Sequence, residues 1–186
     1  MNRENFNIIC WQCDRYVILK PGLGAEEIPS DENDLPPNTC VAIPSDKVRT
    51  FSLNIAPDEI KHLKKGLPFM LEESLTEDVA TLHFANVPLT ADQQAVAVVR
   101  RDDMIALQEG VPDYFCRLPW FPEVLCLPWV QSECTILFED TTALVRWGET
   151  DGTRIEITLL KAMFETLECP PENIVANDLT CFKLSI

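Results

Sequence analysis

The chain has 186 residues, 46% hydrophobic and 24% charged, a globular composition long enough to bury roughly 70% of the surface of its unfolded form. Thirty acidic residues against 15 basic ones give a net charge of −15, spread evenly, since residues 1–93 carry 15 acids and residues 94–186 another 15. Such a chain repels phosphate backbones and anionic bilayers, which excludes nucleic acid as an expected ligand; the acidity serves either a basic protein partner or plain solubility.

In chain order, residues 6–20 (FNIICWQCDRYVILK) read as two strands around a turn near Gln12 to Arg15, from their β-branched and aromatic content. Residues 21–40, with five prolines and glycines before Pro37 and the acids Glu26, Glu27, Asp31, Glu32 and Asp34, read as a surface loop. Short strands follow at residues 40–44 and 50–55. A helix is expected from Pro57, where proline at the first position and Asp58 and Glu59 behind it suit a helix N-terminus. Ile60, Leu63, Leu67, Met70, Leu71 and Leu75 form its apolar stripe, with Gly66 and Pro68 expected to kink or split it.

Strands are predicted at residues 79–85 and 94–99, a helix at 101–109, and then a run dense in aromatics and prolines from Tyr114 to Val130. A hairpin over 134–138 and 142–147, a turn at 149–152, a helix at 157–167 and an extended stretch from Asn173 to Ile186 complete the chain. The class is β-rich α+β. The expected division is a first lobe over 1–90, a strand-rich second subdomain over 91–155, and a helix and strand over 156–186 that return to the first lobe or begin a further one.

No catalytic, cofactor or metal set stands out. Cys10 and Cys13 make a C-x-x-C, but in strand-like sequence rather than at a helix N-terminus, and no second ligand pair completes a zinc site. All eight cysteines are expected to be reduced, buried hydrophobes of a cytosolic protein, because no signal peptide is visible and the chain is not short of core. No stretch approaches the ~20 apolar residues of a membrane span. His62 and His83 fall in no nucleophile pattern, and no Walker loop occurs among only 6 glycines. The aromatic side chains of Tyr114, Phe115, Trp120, Phe121, Trp129 and Trp147 suit a core better than a groove. The remaining feature is acidic: Glu72, Glu73, Glu77 and Asp78, with Glu73 and Glu77 four apart and therefore on one face of a continuing helix. They read either as a solvated helix face, as a docking patch for lysines and arginines, or as stitches from the helix to its own strands.

Three stretches in register, LPFMLEESLTEDVATLHFA at 67–85, QAVAVVRRDDM at 94–104 and VLCLPWVQSECTILFEDTTALVRWGETDGTRIEI at 124–157, resemble the cytoplasmic region of type II secretion system protein L. The resemblance implies an actin-like, ribonuclease-H-like fold whose phosphate loops are lacking here, so that no working nucleotide site is expected, and a chain shorter than the usual cytoplasmic region. It implies a non-catalytic adaptor at the cytoplasmic face of the bacterial inner membrane, with no cofactor. Its partners would be the N-terminal domain of the secretion ATPase, other inner-membrane platform proteins and, as an open alternative, a second copy. Membrane attachment would come only through a transmembrane helix that this chain does not contain. Under that resemblance Glu72, Glu73, Glu77 and Asp78 become the partner-binding residues. The rival reading is a diverged actin-like ATPase or sugar-kinase relative that binds nucleotide.

Overall fold

The computed structural model describes residues 7–12, 15–20, 24–29, 31–56, 59–167 and 171–176. The chain separates into two compact units, Met1–Glu123 and Val124–Ile186. Sequence patterning put its first boundary near residue 90, which lies in the turn of a hairpin inside the first unit.

The first unit is built on a five-stranded sheet of order β3-β2-β1-β4-β8. Strands β1 (Asn7–Gln12), β2 (Arg15–Lys20) and β3 (Gly24–Glu27) form an antiparallel meander, while β4 (Thr39–Ile43) pairs parallel with β1, and β8 (Trp120–Pro122) parallel with β4. This is the strand order of a ribonuclease-H-type sheet, as the resemblance implies. β3 lies inside the stretch read as loop. Its GAEE sequence has little strand propensity, and the free edge of β2 supplies the pairing that propensity does not. The core on one face joins Ile9, Ile18 and Val41, which are register neighbours, to Val111 and Phe115. Tyr16 and Tyr114 meet the Phe115 ring edge-on, and the Trp120 indole N–H donates to the Phe115 carbonyl at 3.1 Å. These aromatics are therefore core, as expected, and do not line a groove.

Between β4 and β8 the chain inserts a second sheet, order β5-β7-β6, from β5 (Val48–Asn54), β6 (Leu82–Pro88) and β7 (Gln93–Arg100), all antiparallel. Alternation along β7 buries Gln94, Val96 and Val98, and Val96 and Val98 pack with Leu63, Leu67 and Leu71 of helix α1 (Leu63–Leu71). The helix is shorter than predicted: residues 60–62 and 72–74 are 3-10 turns, and Pro57 and Asp58 lie outside the described residues. Gly66 and Pro68 do not split it, for the helix runs unbroken through both. Proline inside a helix forgoes one backbone bond, here to the carbonyl of the exposed Lys64, and burial of Leu67 and Leu71 on either side outweighs that cost. Helix α2 (Arg101–Glu109) follows β7 and carries Met104 and Leu107 into a cluster with Ile43, Val48, Val99 and Trp120.

The second unit holds a four-stranded sheet of order β11-β10-β9-β12 and helix α3 (Leu160–Thr166). Strands β9 (Glu133–Glu139) and β10 (Thr142–Arg146) form the predicted hairpin, with Asp140 in left-handed conformation at the turn, φ 46°. β11 (Gly152–Glu156) pairs with β10, and β12 (Asn173–Ala176) pairs parallel with β9, so α3 and β12 belong to this unit. The core is Cys134, Ile136, Ala143, Val145 and Leu160, with Trp147 and Phe164 against it.

Arg146, only 1% exposed, is the largest fully buried side chain among the described residues. Its guanidinium donates to the carbonyls of Leu125 (2.8 Å), Leu127 (2.6 Å), Gly148 (3.1 Å) and Glu149 (2.6 Å). It thereby ties the segment before β9 to the β10–β11 turn. No side chain fits at Gly152 opposite it, where a Cβ would lie 2.2 Å from Val124 Cγ2 and 2.7 Å from the Val145 carbonyl. Replacing Arg146 by alanine strands four carbonyls. We expect a loss of about 3 kcal/mol or more in urea unfolding followed by a probe in the second unit, with Arg146→Lys recovering only part of it.

Candidate partner-binding surface

The four predicted carboxylates do not share a helix face, because α1 ends at Leu71. Glu72, Glu73 and Ser74 form a 3-10 turn, and Leu75 turns extended at φ −111°, ψ 144°, so Glu77 no longer follows Glu73 by one helical turn. The structure sorts the four by use. Asp78 caps the short turn Val79–Thr81, its carboxylate accepting from the Ala80 N–H at 2.9 Å while its carbonyl accepts from the Thr81 hydroxyl at 2.7 Å. Glu77 accepts from the Thr76 hydroxyl at 2.9 Å and from Arg49 of β5 at 3.0 Å. The Thr76 hydroxyl first, and the Arg49 charge after it, hold the Glu77 carboxyl below the usual glutamate range. Of the three readings, Glu77 fits the stitch between the helix segment and its sheet. Glu72 and Glu73 remain exposed, and their side chains make no hydrogen bond or ion pair with the described residues.

Beside those two acids the helix exposes apolar surface that the sequence pattern misassigned. Met70, a member of the apolar stripe, is 46% exposed, and Phe69, off the stripe, is 75% exposed. The signal was present: with Leu63, Leu67 and Leu71 as the inner row, position 69 falls near the opposite side of the helix. Glu72 and Glu73 follow Phe69 by three and four residues, in the 3-10 turn that continues α1.

The other flagged residues make no site. Cys10 is buried in β1 and Cys13 lies outside the described residues; among the latter no cluster of metal-ligating side chains occurs. Cys10, Cys40 and Cys134 are buried, as expected, but Cys116 is exposed. Burial pushes the Cys134 thiol up to about 12. His62 and His83 are both exposed, one at the start of α1 and one on β6. Trp147 packs in the second unit's core, and the Trp129 indole N–H is buried in the loop before β9. Among the described residues no helix is long and apolar enough to cross a membrane.

Comparison with known proteins decides the lineage. The sequence model of the type II secretion system protein L family matches residues 2–183. The chain belongs to that family. It is 31% identical over 136 residues to protein L of Dickeya chrysanthemi, a match covering 69% of this chain and 33% of that protein. Against protein L of Pectobacterium carotovorum subsp. carotovorum it is 33% identical over 66 residues, 36% of this chain and 16% of that one. The matched stretch thus spans a third or less of these relatives. In structure the chain resembles the cytoplasmic domain of EpsL, an inner membrane component of the type II secretion system of Vibrio cholerae, with a TM-score of 0.66 at 18% identity, covering 92% of this chain and 81% of that one. That likeness bears on the fold, and the chain accordingly has the strand-rich α+β arrangement expected of it.

Two outcomes follow from these geometries. With the Glu77 carboxyl held below its ordinary value of 4.5, its contribution to stability is present above that pH and fades as pH falls through the lower folded-state value. Glu77→Gln should therefore melt below wild type at pH 7, by a small margin, and the two curves should converge as pH drops below the glutamate range. In alkylation at pH 8 with mass-spectrometric readout, Cys116 should label in the native protein and Cys134 only after unfolding.

Proposed function

We propose that this chain is the cytoplasmic part of a protein L of the secretion platform, a non-catalytic adaptor at the cytoplasmic face of the inner membrane. It docks the N-terminal domain of the secretion ATPase and contacts other platform proteins. The observation that carries the reading is the family match over residues 2–183, to which the exposed pair Glu72 and Glu73 beside Phe69 adds a surface. Glu77 and Asp78 then serve the surface indirectly, by fixing the turn that follows it.

The physical case rests on division of labour at an interface. Two carboxylates facing solvent attract lysine and arginine and speed encounter, while an exposed aromatic ring supplies apolar area once contact is made. Acidic side chains at a rim lose their pull as salt shortens the range of the field, to about 8 Å at physiological ionic strength.

Binding of the cognate ATPase N-terminal domain to this chain should weaken as salt rises, and Glu72→Lys with Glu73→Lys should lower affinity at low salt by about tenfold, or 1.4 kcal/mol. Phe69→Ser should weaken it at every salt concentration. Binding that ignores all three substitutions would move the contact elsewhere on the chain; no binding at low salt would remove the adaptor reading.

A further inference from the structure

The segment that opens helix α1 runs against two rules of charge placement. Lys61 and His62 stand in the 3-10 turn before the helix and Lys64 and Lys65 in its first turn, where no acid occurs. A helix carries a partial positive charge at this end, so carboxylates suit it and lysines do not. Helix α2 obeys the rule, with Asp102 and Asp103 in its first turn. The three lysines also stand three and four residues apart, near enough to repel one another.

In a chain with 30 acids to 15 basic residues the remedy is plentiful, yet these lysines go without it. Lys20, Lys47, Arg49, Arg117, Arg154 and Lys161 each meet a carboxylate, and Arg101 and Arg146 donate to backbone carbonyls. Lys61, Lys64 and Lys65 are exposed and make no hydrogen bond or ion pair with the described residues. The core takes the other side of the helix, through Leu63, Leu67 and Leu71. The cluster therefore weakens the start of α1 and stabilises nothing else in the described fold.

We propose that Lys61, Lys64 and Lys65 form a docking site for an acidic segment of another protein. Carboxylates laid across the three ammonium groups relieve their mutual repulsion and face the positive end of the helix at the same time. The patch is short, about 6 Å along the axis, and Glu72 lies two turns further on the same side, about 10 Å from Lys65. That distance is comparable to the screening length of about 8 Å at physiological ionic strength, so a short acidic segment meets the lysines without meeting the glutamate. An anionic bilayer is a plane and meets both, with the remaining negative surface of a chain of charge −15 behind them. The charge pattern thus favours a protein segment over a membrane. This inference does not rest on the adaptor reading, which gives Glu72 and Glu73 to a basic partner; the two surfaces take opposite charges and fail separately.

The test is an NMR titration of the isotope-labelled chain with an alanine-based peptide bearing three glutamates at i, i+3 and i+4, taken to about 5 mM to read weak binding. Shifts should concentrate at residues 60–66, fade as salt rises, and vanish with the glutamine version of the peptide. The triple variant Lys61→Gln, Lys64→Gln and Lys65→Gln should bind at least about tenfold more weakly, yet melt no lower than the wild type, since neutral side chains suit that helix end better. Glu72→Lys with Glu73→Lys should bind the peptide at least as tightly as the wild type, which separates this site from the one proposed for the ATPase. Vesicles of phosphatidylglycerol and phosphatidylethanolamine should not retain the chain at physiological salt. The proposal is overturned by shifts that fall elsewhere or nowhere, or by a triple variant that binds like the wild type. It is equally overturned by a triple variant that melts below the wild type, because the lysines then serve the fold, and by vesicle binding through these lysines, because the ligand is then a membrane.

Discussion

Parallel pairing of β4 with β8 is the constraint on which the first unit depends. All five residues of β4 are buried, and the strand is held by β1 on one side and β8 on the other. Two parallel neighbours cannot be joined by a tight turn; the chain must leave the end of β4 and travel back to the start of β8. Here that crossover runs from residue 44 to residue 119 and contains a sheet of its own, with α1 on one face and α2 closing the path. The surface that bears Glu72, Glu73 and Phe69 is thus part of a connection that the sheet requires in any case. The far end of the connection also serves the sheet, since Val111 and Phe115 pack on Ile9, Ile18 and Val41.

Much of this was legible because some elements declare themselves locally. The β1–β2 hairpin, the apolar runs of β4 and β7, the α2 helix and the β9–β10 hairpin follow from side-chain periodicity and turn chemistry. Elements that exist because a neighbouring strand offers its edge did not. β3 is a strand because β2 offers an edge, and β11 because β10 does, neither from the propensity of GAEE or GTRIE. The site was half legible for the same reason. Composition located four carboxylates in one short stretch, but whether each faces solvent depended on where α1 stopped and on Arg49, which lies 28 residues before Glu77 and beside it in space. Nothing local told a capping aspartate from an exposed glutamate.

The cations of this acidic chain go mainly to local tasks. Lys20 pairs with Glu26, Lys47 with Asp103 at 3.5 Å, Arg117 with Glu32 at 3.0 Å and Arg154 with Glu139 at 2.6 Å. Arg146, the most buried of them, bonds to four carbonyl groups. A guanidinium serves there because it presents several donors in one plane, enough to satisfy carbonyls from two separate turns that cannot satisfy each other. With 30 acids against 15 basic residues the negative field still prevails, and its local shape is set by the few places where lysines gather, of which the start of α1 is one.

Helix α1 shows how fold and surface can be tuned separately on nine residues. Its inner row, Leu63, Leu67 and Leu71, is buried against β7, and burying each such leucine contributes about 1.5–3 kcal/mol. That is ample to hold a helix that glycine and proline would otherwise weaken, so the outer row is released from any duty to the fold. Phenylalanine on that row gives up a comparable stabilisation by staying in water, and glycine there gives up helix propensity. Both choices run against the stability of the isolated chain. The phenylalanine acquires a physical purpose once the outer row is covered, since a ring three-quarters exposed is what close approach by a partner surface would use.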